Sequence, residues 1–415
     1  MRLGNIIMAI IPLLIFLLLD LYVFQGVKTL TAPLQSQALR TGIHWAFWLI
    51  SAGLPLFVFF SLFQLGRSSS VFTASVSIFI TLFVTKLVFV LVLMGGDLAR
   101  LAQGGWQWFT GSGGETAFLP ERRRFVSQLA LGVAAVPFVG FLYGITKGKY
   151  NFKVHRHTLF FDDLPAAFDG FRIAQISDVH SGSFDDAEAV RRGVDLLVEQ
   201  QADLFVFTGD LVNNFAHEFE PWLPVFSKIK APFGQFSILG NHDYGDYVGW
   251  KSQEEKRANL DKLKQHHAAT GFRLLLDESI EIEKDGEKIT LLGVENWGVG
   301  FGKKGDLQKA MQGVPGDAFK ILLSHDPSHW DKQVKNFDSH IHLTLSGHTH
   351  GMQMGVEIPG LRWSPVQLKY PKWAGIYEES GKYINVNRGF GFLGFAGRVG
   401  IWPEITVLEL RRRVA

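Results

Sequence analysis

The chain has 415 residues, 47% hydrophobic, 13% aromatic and 19% charged, with 41 Lys/Arg against 39 Asp/Glu. A disordered chain would be poorer in apolar residues and richer in like charge, and a net charge of +2 excludes a uniformly basic nucleic-acid binder. The 36 Phe exceed what a soluble chain of this length ordinarily needs, and the length allows two or three units of about 100–200 residues each. The overall balance averages two unlike parts: residues 1–150 hold 11 Lys/Arg and 4 Asp/Glu, and residues 151–415 hold 30 and 35. No cysteine is present, so neither a disulfide nor a thiolate metal site exists.

Four apolar runs occupy the first part: Ile6–Phe24, His44–Leu65, Val71–Met94 and Phe125–Ile145. A hydrocarbon core of ~30 Å needs about 20 apolar residues of helix, and these runs lack a polar face for water. Residues 1–150 are therefore expected to form a four-helix transmembrane region. Asp20 and Lys86 fall inside runs, where an ionisable group is costly. A structural pair or snorkelling of the long lysine stem is expected ahead of a transport role. Pro137 is expected to kink the fourth span.

Orientation rests on flanking cations. One side would carry Arg2, Arg67, Lys147, Lys149, Lys153 and Arg156; the other Lys28, Arg40, Arg100, Arg122, Arg123 and Arg124. The count is even, and the arginine cluster directly before the fourth run tips it, as a cytoplasmic anchor. The C-terminal part is then extracytoplasmic, in a bacterial inner membrane.

From residue 151 the pattern changes to that of an α/β domain, taken as 151–415. Strands are expected at Phe171–Ser177, Leu204–Thr208, Gln235–Leu239, Ile280–Glu283, Ile289–Val294, Lys320–Ser324, Ile341–Leu345, Tyr383–Asn387 and Glu404–Glu409. Helices are expected at Asp186–Gln200, Glu218–Lys230 and Ser252–Thr270. Five of the strands run directly into polar groups able to bind metal, and α/β sheets bind ligands outside the carboxyl ends of their strands. One site is therefore expected from Asp178, His180, Asp210, Asn241, His325, His348 and His350. Imidazole and carboxylate suit borderline divalent metals such as Mn, Fe and Zn. Seven side chains are too many for one ion and suit two, an arrangement able to clamp both oxygens of an in-line phosphoryl displacement.

Asp178-Val179-His180, Gly209-Asp210-Leu211-Val212-Asn213, Gly240-Asn241-His242-Asp243, Ser324-His325 and Gly347-His348-Thr349-His350 resemble, in order and spacing, the motif blocks of the calcineurin-like metallophosphoesterases. The resemblance spans roughly residues 170–355 and implies a two-sheet αββα sandwich. The tail, Asn387-Arg388-Gly389-Phe390-Gly391 and Pro403-Glu404-Ile405, is similar to the membrane-associated bacterial phosphodiesterase branch. It implies that Asp178, His180 and His350 hold a first metal, that Asp210 bridges, and that Asn241, His325 and His348 hold a second. His242 would be the catalytic histidine, stabilising the transition state or protonating the leaving oxygen, with Asp243 orienting it. A metal-bridging hydroxide would attack phosphorus. The first three spans have no counterpart in the shorter members of the family.

The expected protein is a membrane-anchored, metal-dependent phosphoesterase, a phosphodiesterase or pyrophosphatase acting on lipid-linked or envelope phosphate esters, with manganese favoured. Expected partners are membrane lipids and the phosphate ester, with no nucleic acid. Hydrolysis of UDP-2,3-diacylglucosamine in lipid A synthesis is the alternative and needs a cytoplasmic site. A transporter or sensor with a regulatory metal domain is the alternative from another class, supported by Lys86. Phe390, Phe392, Leu393, Phe395, Ile401 and Trp402, interleaved with Arg398, either enter the membrane interface or pack on the domain's own core. Arg388 either touches phosphate or anchors its loop.

Overall fold

The computed structural model describes residues 3–66, 69–110 and 120–413; Arg2 and Arg67 lie outside them, as do the side chains of residues 3–13 and 120. The chain divides into two compact units, Met1–Tyr143 and Gly144–Ala415.

The first unit is helical: α1 (Leu3–Thr31), α2 (Gln37–Leu65), α3 (Ser70–Thr110) and α4 (Pro120–Thr146). Among the described residues these four are long and apolar enough to cross a membrane. Ser36 starts α2, its Oγ accepting the Leu39 N–H, and Gly66 at φ 78° ends it. α3 runs 16 residues past the expected end at Met94. Its 41 residues would extend about 60 Å at 1.5 Å per residue, twice a hydrocarbon core. Helical backbone continues there although the sequence turns polar at Asp97 and Arg100.

Close packing inside this unit uses small hydroxyl residues. Ser61 and Ser75 meet at 3.2 Å, and Thr81 and Thr85 return their hydroxyls to carbonyls one turn back. Asp20 and Lys86 pair with each other: Lys86 Nζ donates to Asp20 Oδ1 at 2.6 Å and to Ser51 Oγ at 2.7 Å. Lys86 therefore carries no unbalanced charge in the bundle.

The second unit is a four-layer sandwich. Its strands are β1 (Lys153–Phe161), β2 (Arg172–Ile176), β3 (Leu204–Phe207), β4 (Gln235–Ser237), β5 (Arg273–Leu274), β6 (Glu278–Lys284) and β7 (Glu287–Gly293). They continue as β8 (Lys320–Leu323), β9 (Leu343–Ser346), β10 (Val356–Ile358), β11 (Leu361–Trp363), β12 (Gly375–Glu379), β13 (Lys382–Val386) and β14 (Glu404–Arg412). One six-stranded sheet has the order β1-β14-β2-β3-β4-β5, the other β12-β13-β9-β8-β7-β6, and β10-β11 is a separate hairpin.

Strand alternation sets the layers. On β3, Leu204 and Val206 enter the core between the sheets, where they join Leu291, Ile321, Leu323, Leu343 and Leu345. Phe205 and Phe207 point the other way, onto α5 (Ala187–Val198), α6 (Leu223–Phe226) and α7 (Gln253–Thr270) through Val190, Val194, Phe226 and Leu263. On β8, Leu322 faces α8 (Leu307–Ala310) and α9 (Ser328–Lys332), with Leu307 and Trp330. The αββα order expected from the resemblance is the order observed. Buried amides also tie the sheets together: Gln175 donates to the Ser346 carbonyl at 2.9 Å, and Asn385 donates to Gln175 Oε1 at 2.8 Å.

One local expectation needs correction. Glu218–Lys230 is not one helix: a 3-10 segment Ala216–Trp222 precedes the single turn α6. Pro221 and Pro224 remove the N–H donors a continuous helix needs. Of the two readings open for the Phe390–Trp402 segment, packing on the domain's own core is the one observed: Phe390, Phe392, Phe395 and Ile401 are buried, and the Phe390 ring lies 4.4 Å from that of Phe152.

Candidate metal centre

β2 runs parallel to β3 and β3 to β4 in one sheet, β8 runs parallel to β9 in the other, and the carboxyl ends of all five share one edge of the sandwich. The loops leaving those ends carry all seven expected side chains. Six of them form two groups whose donor atoms lie within 4.8 Å of one another: Asp178, His180 and His350, and Asp210, His325 and His348.

The loops turn too sharply for ordinary backbone. Asp178, His180, Asp210, His348 and His350 all have φ between 46° and 71°. Left-handed residues other than glycine are uncommon and costly, and they collect at functional sites. Gly209 has φ 96°, and a Cβ there would stand 2.5 Å from the Gly240 nitrogen and 2.9 Å from His325 Nδ1. Only glycine allows Asp210 to approach the second sheet this closely.

Hydrogen bonds aim most of these donors. The His348 N–H holds the Asp178 carboxylate at 2.9 Å, and Asp178 Oδ1 faces His350 Nε2 at 3.2 Å. The His242 N–H holds Asp210 Oδ1 at 2.8 Å. This leaves Asp210 Oδ2 between His325 Nε2 at 3.2 Å and His180 Nε2 at 3.6 Å, one from each group. His325 Nδ1 donates to the Thr208 carbonyl at 2.7 Å, which turns its Nε2 lone pair inward. Asn241 Nδ2 donates to the Tyr247 hydroxyl at 2.8 Å. Its Oδ1 then faces His348 Nδ1 at 2.9 Å and His325 Nε2 at 3.2 Å.

The donor set fits divalent metals. His180 is fully buried and neither ring nitrogen has a hydrogen-bond partner, an expensive arrangement without a ligand. Burial pushes His180 well down and His348 down to about 4, which keeps both imidazoles neutral. Burial alone would raise Asp178 and Asp210, yet the histidines facing them, His350 and His325 foremost, hold both below the usual carboxylate range. Neutral imidazole and ionised carboxylate are the metal-binding forms. His325 differs: burial opposes its charge, but the Asp210 carboxylate prevails and pushes it up to about 10.

His242 stands next to the two groups and belongs to neither. Its Nδ1 donates to the Asn213 carbonyl at 2.8 Å, its ring lies 4.4 Å from that of Tyr247, and it is half-buried. Asp243 does not orient it. The Asp243 carboxylate accepts four backbone N–H groups, from Gly240 (2.8 Å), Asp210 (2.9 Å), Leu211 (2.8 Å) and Val212 (3.3 Å). It pins the turn that presents Asp210.

Several residues at the site were not expected from sequence. Tyr370 OH lies 3.0 Å from His348 Nε2 and donates to Asp326 Oδ2 at 3.2 Å, completing a carboxylate–phenol–imidazole chain behind His348. Arg398 is fully buried and binds the carbonyls of Arg388, Gly389 and Gly391, with its guanidinium 3.3 Å from His350 Nδ1. Arg388 is a loop anchor, held by Glu404 and Glu357 at 2.5 Å each. Asp326 adjoins His325 in sequence, which was a usable signal; Tyr247, Tyr370 and Arg398 arrive only through tertiary folding.

Comparison with known proteins agrees with this geometry. Residues 171–352 match the calcineurin-like phosphoesterase family. Residues 2–149 match a second family, described as a probable calcineurin-like phosphoesterase transmembrane domain. The spans thus match a family model of their own. A Bacillus subtilis protein named uncharacterized metallophosphoesterase YkuE is 30% identical over 70% of this chain and 97% of its own length. Phosphodiesterase YaeI of Escherichia coli is 28% identical over 70% of this chain and 98% of its own. A Danio rerio transmembrane protein with a metallophosphoesterase domain is 28% identical over 68% of this chain and 62% of its own.

Sandwich, strand-end cluster and helical unit together define a membrane-bound, metal-dependent hydrolase of phosphoric esters. The chain belongs to the calcineurin-like metallophosphoesterases.

Proposed function

We propose that the protein is a binuclear phosphodiesterase or pyrophosphatase that acts on lipid-linked phosphate esters from an extracytoplasmic position on the bacterial inner membrane. The observation that carries the reading is the pair of donor groups joined through Asp210 Oδ2. Asp178, His180 and His350 would hold one ion; Asn241, His325 and His348 the other; Asp210 would serve both. Two divalent cations, manganese favoured over iron and zinc, would supply Lewis acidity to the phosphoryl oxygens and a water acidified enough to attack phosphorus.

The protein's own groups perform the rest. Asp210 and Asp178 are kept ionised and fixed by backbone N–H groups, so the donors need no rearrangement when substrate arrives. His242, tethered through Nδ1 to Asn213, offers Nε2 to the leaving oxygen. It stabilises developing charge there or delivers a proton. Tyr247 holds both the Asn241 amide and the His242 ring in place.

The lipid-linked substrate class is supported by the β10-β11 hairpin. It exposes Val356, Ile358, Leu361 and Trp363, with Met352 and Leu368 beside it. Ser364 ties it to the site by donating to the Gly351 carbonyl at 2.7 Å, one residue from His350. An apolar surface of this kind beside a polar cluster suits a substrate with hydrocarbon chains. The phosphodiesterase YaeI among the relatives supports the diester reading. With Lys86 neutralised by Asp20, the transporter reading loses its one support.

Asp210→Asn in the full-length protein tests the site: hydrolysis of a soluble diester and bound metal should both be lost, and unchanged activity overturns the reading. Single cysteines introduced into the cysteine-free chain near Arg413, labelled in intact cells, test the orientation. Protection from an impermeant reagent would move the site to the cytoplasm.

A further inference from the structure

We propose that the cavity enclosed by α1, α3 and α4 in the helical unit binds the headgroup of an anionic glycerophospholipid. The cavity has a volume of about 890 Å³, within the range of small-ligand sites. It is independent of the metal centre, and all its lining residues fall between Tyr22 and Ser127.

Its charge is unbalanced. Arg100, Arg122 and Arg123 line it against one carboxylate, Asp97. Asp97 is already engaged by Arg100 and the Tyr22 hydroxyl. Among the described residues Arg122 reaches only the Gln103 amide, at 3.4 Å, and Arg123 forms no ion pair. Two guanidinium groups are therefore left to face an anion, and guanidinium geometry suits phosphate oxygens. Gln107 Oε1 in the same wall is shielded from solvent and has no donor among the described residues, a position a headgroup hydroxyl would fill.

The space is held open by glycine. Gly104 and Gly105 lie inside α3, where glycine weakens a helix, and a Cβ on either would meet nothing within 4 Å. No packing contact among the described residues requires them to be small, and they leave room for something else.

The lining is apolar at one end, with Leu93 and Val126, and cationic at the other. The change falls where the apolar run of α3 ends and that of α4 begins, the level of a lipid headgroup. Trp106 and Trp108 are exposed at this end of α3, as aromatics are in interfacial belts. A soluble anion would use the guanidinium groups but not the apolar end; a phospholipid uses both. Basic pockets between membrane helices bind anionic headgroups in this manner.

The test uses full-length protein in nanodiscs and detergent, titrated with phosphatidylglycerol, phosphatidylcholine and soluble glycerol phosphate, with native mass spectrometry as readout. Phosphatidylglycerol should bind selectively and survive detergent exchange. The pair Arg122→Gln and Arg123→Gln should weaken it about 30-fold, from the usual contribution of a cation at an anionic surface. Gly105→Leu should exclude it with no change in charge. An unchanged melting temperature in detergent verifies that a variant is folded, and the arginine pair decides alone if Gly105→Leu does not fold. Equal binding of phosphatidylcholine, displacement by equimolar glycerol phosphate, or unchanged affinity in the folded arginine pair would each overturn the proposal.

Discussion

Replacing Asp243 by Asn separates two roles for a buried carboxylate beside a catalytic histidine. The sequence suggests that Asp243 orients His242; the structure gives it the N–H groups of Gly240, Asp210, Leu211 and Val212 instead. Asparagine keeps one acceptor oxygen and turns an NH2 toward two of these donors. Two buried N–H donors lose their acceptor, at about 1–3 kcal/mol each. The expected cost is about 2–6 kcal/mol, a large share of ordinary stability, and a Tm decrease of roughly 4–20 °C. The Asp210 turn should loosen, so bound metal should fall together with activity. Full-length Asp243→Asn would be assayed for melting, for metal by elemental analysis and for kcat on a soluble diester. Full metal occupancy and an unshifted Tm with a reduced kcat would refute the reasoning and restore the orienting role.

Three further outcomes are expected. His242→Ala should retain metal and lose about 10²–10⁴ in rate; a metal-free variant would make His242 a ligand. Chelation followed by dialysis should abolish hydrolysis, and added manganese should restore it; activity that survives complete removal of metal contradicts the assigned chemistry. Lys86→Met leaves Asp20 unpaired in the bundle, at a cost of about 2.5–3.5 kcal/mol. Lys86→Met combined with Asp20→Asn should recover most of that loss in detergent melting, and strict additivity of the two substitutions would show that the pair is not coupled.

The ligands were legible because two signals coincide at each one. An apolar run such as Leu204–Phe207 ends, and a glycine or polar turn carries a donor directly after it. The membrane helices were equally plain, since nothing but a bilayer suits their sides. What escaped depends on partners distant in sequence. β1 reads Lys153–Phe161 with polar residues at most positions, and it is a strand because β14 pairs with it over its whole length. The Phe390–Trp402 segment has the composition of an interfacial loop; what buries it is Phe152, Phe184 and Phe226. Asp243 was misjudged because adjacency in sequence says nothing about where a carboxylate points in a tight turn.

Neither sheet owns a complete ligand group. Asp178 and His180 follow a strand of one sheet while His350 follows a strand of the other; Asp210 and Asn241 are likewise divided from His325 and His348. The two sheets therefore behave as the jaws of a caliper, and the gap between the jaws is set by the side chains packed between them. Leu204, Val206, Leu343 and Leu345 lie in that core and are not themselves donors, yet their volumes fix how far apart the two halves of each donor group stand. Metal affinity in this protein is accordingly a readout of core thickness, and a single methylene changed deep in the sandwich is transmitted to the metal centre at its rim.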